Sequence, residues 1–424
     1  MKMKLSQGSI TFFSLRDLNE FIRELGLINR IKLLEPIQDN SGKILYKEDL
    51  PVKQSTLDKL AEMEGQYRQN FSASMSDEAI REMAKYVTRK VLHTLDFAEN
   101  TVSRHLFDGT RHNYRSYIVN SFSSKKLIMV LYKMTHEKPE LFDYLAGMGL
   151  LCMGIVLPLS SHIRMIHRYS FLAGLCADMG LMDTDYWKTP IEKYAMKVKA
   201  AERSARYIEG MSMPEAVPAA VRKHVFNPLD PVPAEDDDLD LLPGSLAEEG
   251  EVPQGDDALD VDKGGDSGLS ENDLAEIIKE VLKIARFYQS VRFRCREKED
   301  YLKQLIEKLA YNAARGFFSR KLADPIIKKF KEYERSARFM MRIAEVERKC
   351  LKPPSAWAYP KPTASQILCR NREFDCPNIL MGRDIHVVAD SEAFGWVGLS
   401  MEAGKYPKCT LEEEILKLSK EILK

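Results

Sequence analysis

The chain has no CxxC pair, no GxGxxG, no P-loop, no GxSxG, no HExxH and no internal repeat. Dinucleotide-fold, P-loop, nucleophile-elbow and zincin chemistries therefore lack their sequence signatures. No run of eighteen apolar residues occurs, so no transmembrane helix is expected. The longest approach, Leu145 to Leu159, is shorter and contains Pro158. The N-terminal MKMKLSQGSITFF carries lysines but no apolar core before Gly8, and no signal peptide is expected. With 7 cysteines in 424 residues and no such leader, a reducing cytoplasm is the expected compartment. Net charge is also absent: the formal value is +0, which points to neither nucleic acid nor a membrane surface.

What is present is enough apolar material for two or three cores, at 44% hydrophobic residues. The neutral total conceals an asymmetry. Between Asp230 and Asp266 the only basic residue is Lys263, among fourteen acidic ones, which leaves about +13 for the rest of the chain. Pro, Gly, Asp and Glu dominate 229–270, which cannot bury a core and reads as a disordered acidic insert.

The insert separates regions with clear periodicity. Residues 1–75 read as a small α/β module: a helix over Ser14–Leu27, a hairpin around Asp39-Asn-Ser-Gly42, and a helix Leu57–Glu64 capped by Ser55-Thr56. Residues 76–228 carry apolar side chains at three- and four-residue steps in Ala79–Phe97, Lys125–Met134, Glu140–Leu157 and Ile163–Met179, which predicts helices. A second helical part is expected over 271–350, opening after Ser270 and closed by Pro353 and Pro354. Residues 351–424 form a small C-terminal domain with strand-like runs Ile385–Ala389 and Gly395–Leu399 and a closing helix from Thr410. The expected fold is mainly α: a helical bundle with a small N-terminal α/β module and a small C-terminal α/β tail.

Phe171-Leu-Ala-Gly-Leu-Cys-Ala177-Asp178-Met-Gly180 resembles the His-Asp helix end of the HD superfamily. The surrounding order of segments resembles the HD-GYP branch, the fold of cyclic di-GMP phosphodiesterases. Leu141-Phe-Asp-Tyr144 resembles the helix of the first ligand, Ala200-Ala-Glu-Arg the helix that opens with His-Pro, and Val221-Arg-Lys-His224-Val225 the His-His-Glu segment. Ile284-Ala-Arg-Phe287 resembles the helix with a further aspartate, and Asp324-Pro325 the closing helix. In active members an imidazole and a carboxylate side by side direct a metal pair that activates water against a phosphodiester.

That resemblance implies a site at Tyr144, Ala177, Asp178, Ala200, His224, Val225 and Phe287, with most ligands replaced. Only Asp178 and His224 remain as metal candidates, so no catalytic residue and no resident metal are expected. The function implied is a non-catalytic HD-GYP-like signalling, regulatory or scaffold protein. The alternatives are a metal-dependent phosphohydrolase with an atypical site, or a binding module acting through its C-terminal domain. A protein partner is expected, and a cyclic dinucleotide is a second candidate ligand. Arg203, Arg206, Arg222, Lys223, Arg286, Arg292, Arg294 and Arg296 are the candidate phosphate donors. Separately, Cys350, Cys369, Cys376 and Cys409 are candidate zinc ligands without the knuckle spacing that structural zinc sites use. His105, Asp108 and His112 cluster in a polar stretch that reads as solvated surface, and His162 and His167 fall on different helix faces.

Overall fold

The computed structural model describes residues 1–6, 8–63, 65–67, 70–97, 101–107, 114–158, 164–181, 194–225, 269–295, 301–349, 357–358, 368–369, 385–388, 395–396, 399–400 and 404–414. It is mainly helical, and the chain divides into two compact units, Met1–Lys329 and Phe330–Lys424. The acidic insert lies outside the described residues, apart from its last two positions.

The first unit opens with an antiparallel hairpin, β1 (Met3–Ser6) and β2 (Ser9–Phe12), in which Met3 faces Phe12. Ile10 and Phe12 alternate inward, as a half-buried strand requires. The helix α1 (Leu15–Leu25) follows. The Ser14 hydroxyl accepts from the Asp17 amide at its start, and Gly26, at φ 65°, closes it in the left-handed conformation that glycine adopts at least cost. Its apolar stripe Leu15, Leu18, Phe21, Ile22 and Leu25 is buried.

The hairpin β3 (Ile37–Gln38) and β4 (Ile44–Tyr46) turns on Asp39, whose carboxylate accepts from the Ser41 and Lys43 amides, both at 2.9 Å. Then come α2 (Gln54–Glu62) and β5 (Phe71–Ser74), which pairs antiparallel with β2. The sequence reading missed β1 and β2 altogether. It also started α2 late: the helix begins after Lys53, without a side-chain cap, so the Ser55-Thr56 signal lies inside it.

The helical part contains α3 (Asp77–His93), α4 (Thr101–Arg104), α5 (Tyr114–Ser121), α6 (Lys125–Glu137), α7 (Pro139–Val156), α8 (Arg164–Cys176), α9 (Tyr194–Glu209), α10 (Ala216–Lys223), α11 (Glu271–Cys295), α12 (Tyr301–Ala314) and α13 (Arg320–Lys349). Among the described residues α7 is the one helix long and apolar enough to cross a membrane. Most of it is buried inside the bundle, which is the pattern of a core helix. It packs backbone to backbone on α8. A Cβ placed on Gly174 would lie 2.6 Å from the Met148 carbonyl oxygen, and one on Gly149 would lie 2.9 Å from that of Phe171.

The helical part expected over 271–350 comprises α11, α12 and α13. Gly316 (φ 72°) ends α12: its amide donates to Ala313, and the Phe317 amide to Asn312. These two bonds form a Schellman ending. The Ser270 expectation holds: its hydroxyl accepts from the Asp273 amide at 3.2 Å, and the Asp273 carboxylate accepts from the Ser270 amide at 2.9 Å.

The N-terminal module is fastened to the bundle by a polar cluster. Glu24 on α1 accepts from the Tyr132 hydroxyl and from His136 Nε2, 3.0 Å away, both on α6. His136 Nδ1 faces the Tyr132 carbonyl at 3.1 Å and the Thr135 hydroxyl at 3.0 Å. Tyr86 of α3 stacks on the imidazole. Burial pushes the His136 pKa down, but the bonds to Glu24 and the Tyr132 carbonyl outweigh it and the net shift is upward. Burial likewise pushes Glu24 up, and the bonds from His136, Tyr132 and Tyr86 bring it below the usual carboxylate range.

A raised histidine stabilises the fold fully below its unfolded pKa, and loses that contribution as pH rises through the folded value. His136→Gln is therefore expected to cost about 1 kcal/mol near pH 6, and less near pH 9. Urea melts of both proteins across that window check it. A penalty that grows with pH would contradict the assignment.

In the second unit β6 (Trp357–Ala358) pairs with β7 (Leu368–Cys369), and β8 (Ile385–Val388) with β11 (Gly404–Pro407). The run read as one strand over Gly395–Leu399 is instead two, β9 (Gly395–Trp396) and β10 (Leu399–Ser400), paired antiparallel. The closing helix expected from Thr410 is described only through Glu414.

Candidate functional site

The residues singled out by resemblance fall into two sets. Tyr144, Asp178 and His224 converge. Ala177, Ala200, Val225 and Phe287 contribute apolar surface: Ala177 and Ala200 are buried, and Phe287 is half-buried edge-on to Phe318, with ring centroids 5.2 Å apart.

Each polar member is positioned by its own element. Tyr144 comes from the first turns of α7. Asp178 lies in the tight turn between α8 and the short 3-10 segment Met179–Leu181, which α9 holds by a bond from the Gly180 amide to the Ser204 hydroxyl at 3.1 Å. His224 caps the C-terminus of α10, where its Nδ1 bonds the Val221 carbonyl at 2.6 Å. That leaves Nε2 as an acceptor facing the site.

The group that joins them is Arg286 of α11. Its Nη2 donates to Asp178 Oδ1, its Nη1 to the Tyr144 hydroxyl at 3.0 Å, and its Nε to His224 Nε2 at 3.3 Å. The Tyr144 hydroxyl in turn donates to Asp178 Oδ2 at 3.0 Å, closing a ring of hydrogen bonds. The Asp178 side chain is only 4% exposed, whereas Arg286 keeps 29% of its side chain accessible.

The electrostatics follow from that geometry. Burial lowers the His224 pKa and the Arg286 charge lowers it further, to about 4, so the ring is neutral at physiological pH. Burial works against the Arg286 charge, but Asp178 and then Tyr144 more than compensate and hold it protonated. The phenol of Tyr144 is pushed up by burial and by the Asp178 carboxylate. Nearby Cys152 is pushed up by burial, so its thiol is unreactive.

This donor set does not fit a metal pair. One carboxylate, one phenol and one imidazole converge, and a guanidinium already engages all three. A dication bound there would sit beside that fixed positive charge, and the repulsion is severe where water is excluded. Among the described residues no group of three or more His, Cys, Asp or Glu side chains is placed to hold a metal ion.

Other candidates are accounted for differently. Arg206 pairs with Glu202 at 2.8 Å, and Arg222 with Glu202 at 2.9 Å and with Glu209. These cations each pair with carboxylates on their own surface. His167 is buried and stacks on Tyr117, with ring centroids 5.0 Å apart. Asp108, His112, His162, Cys350, Cys376 and Arg296 lie outside the described residues, as do the side chains of Cys369 and Arg294. Cys409 is buried, and its sulfur accepts from the Leu411 amide at 3.5 Å.

Comparison with protein-family models, curated proteins and solved structures found no match. The site therefore rests on its own geometry.

Sequence reasoning named Arg286 only as one of several phosphate donors. The signal that would have found it is charge balance: a buried Asp178 without metal partners needs a cation, and Arg286 directly precedes Phe287, the position that resembles a ligand.

Proposed function

We propose that the chain is a non-catalytic HD-GYP-like protein acting as a regulator or scaffold in cytoplasmic bacterial signalling. The observation that carries this reading is the Arg286 guanidinium among Tyr144, Asp178 and His224. Hydrolysis of a phosphodiester in that scaffold requires metal-activated water. Here the surviving ligands are engaged by a side chain, and the remaining ligand positions are Ala177, Ala200, Val225 and Phe287. A protein partner is then the ligand such a chain would serve, and cyclic dinucleotide binding without turnover is the second outcome to assay.

The purified chain is expected to hydrolyse cyclic di-GMP no faster than buffer, with manganese or ferrous iron added. Release of linear dinucleotide, followed by chromatography, measures it. Robust turnover would overturn the reading, all the more if Asp178→Asn abolished it.

A further inference from the structure

We propose that Tyr144, Asp178 and His224 form a cation receptacle, that Arg286 is its resident occupant, and that a small external cation can take its place once Arg286 is shortened. The proposal shares its site with the functional reading above and rests on that reading only for the site's ancestry. Its physical content is the convergence of three acceptors.

These acceptors differ in kind. Asp178 offers an anionic oxygen, Tyr144 a phenolic oxygen whose own proton is committed to Asp178, and His224 the lone pair of a neutral imidazole. They come from the start of α7, the turn after α8 and the end of α10, and all three accept from one group carried by a fourth element, α11. None of the three is supplied by a neighbour in sequence, so their aim at a single point is a property of the tertiary fold.

Each acceptor is held from behind. The Val221 carbonyl fixes the imidazole tautomer, the Ser204 hydroxyl holds the turn that carries Asp178, and α7 is embedded in the bundle. Loss of the guanidinium should therefore leave the acceptors in place with an uncompensated carboxylate, which costs most where water is scarce. Arg286 keeps 29% of its side chain accessible, so shortening it should open to solvent the space that the side chain now fills.

The chemical class follows from the donors. A planar guanidinium reproduces the present bonds one for one.

The experiment uses the full chain. Arg286→Ala is melted with guanidinium chloride at sub-denaturing concentration against sodium chloride of equal ionic strength. Guanidinium is expected to raise the Tm of the variant by about 5 °C or more at saturation. The wild type should gain nothing from guanidinium at this site, and Arg286→Ala/Asp178→Asn should lose the gain. If Arg286→Ala does not fold unaided, recovery of folded protein from urea with and without guanidinium gives the same reading.

The inference is overturned if neither the alanine variant nor the milder Arg286→Gln gains stability or recovery from guanidinium. It is overturned equally if the wild type gains as much as the variant, because the receptacle would then not be filled by Arg286. Hydrolysis by the wild type tests the functional reading and cation response of the variant tests this one, so either can fail alone.

Discussion

Without added cation, Arg286→Ala should destabilise the first unit by about 3 kcal/mol, the usual scale for removing one partner of a buried, hydrogen-bonded charge pair. The reason lies less in the strength of the pair than in what is left behind. Asp178 would keep the bond from Tyr144 but lose the Arg286 cation, and the Nε2 of His224 would lose its donor. Asp178→Asn should also destabilise, because the amide cannot balance Arg286. The double variant should be markedly less damaged than the two single losses combined. Urea unfolding of the four proteins gives the coupling directly. Near-additive losses would mean that the ring of hydrogen bonds contributes little.

The second large effect is steric. Gly180→Ala is expected to cost about 3 kcal/mol, at the upper end of what overpacking exacts. The new Cβ would stand 2.5 Å from the Ser204 amide nitrogen and 2.7 Å from the Arg203 carbonyl carbon. Both are backbone atoms of α9, so no side-chain rotation relieves them. The turn must lift off the helix, weakening the bond from the Gly180 amide to Ser204 and shifting Asp178 two residues away. Gly210→Ala is the control. Its nearest neighbour is the flexible Lys126 ammonium at 3.3 Å, and little change in Tm is expected there. Equal losses at the two glycines would argue that conformational preference, and not the approach of α9, governs both.

How much of this was legible in the sequence depends on the range of the interaction. Local signals worked. Ser14 and Ser270 mark helix starts because a hydroxyl one turn away satisfies a free amide, and Asp39 to Gly42 marks a hairpin because the carboxylate organises its own turn. Long apolar helices such as α7 and α8 were visible through their periodicity, and their burial makes the fold mainly α. The first two strands were not visible: in Met3–Ser6 the alternation spans too few positions to stand out, and β1 owes its place to pairing with β2. The end of α12 rests on a single glycine and two backbone bonds, a local feature of a few residues.

The site was legible in part. Tyr144, Asp178 and His224 were named, and they meet. The basis for naming them was segment order, which carries no information on charge balance. Arg286 is 108 residues from Asp178 and 142 from Tyr144, and no local rule connects them.

Those separations also bear on the time course of folding. Closing so long a stretch of chain costs entropy before any bond rewards it, so the ring around Arg286 belongs among the last contacts to form. Interactions absent from the folding transition state act on the way out: they slow unfolding and leave the folding rate nearly untouched. The guanidinium would then serve as a kinetic latch, setting how long the bundle stays closed once assembled. A chain lacking it would fold as quickly and come apart sooner.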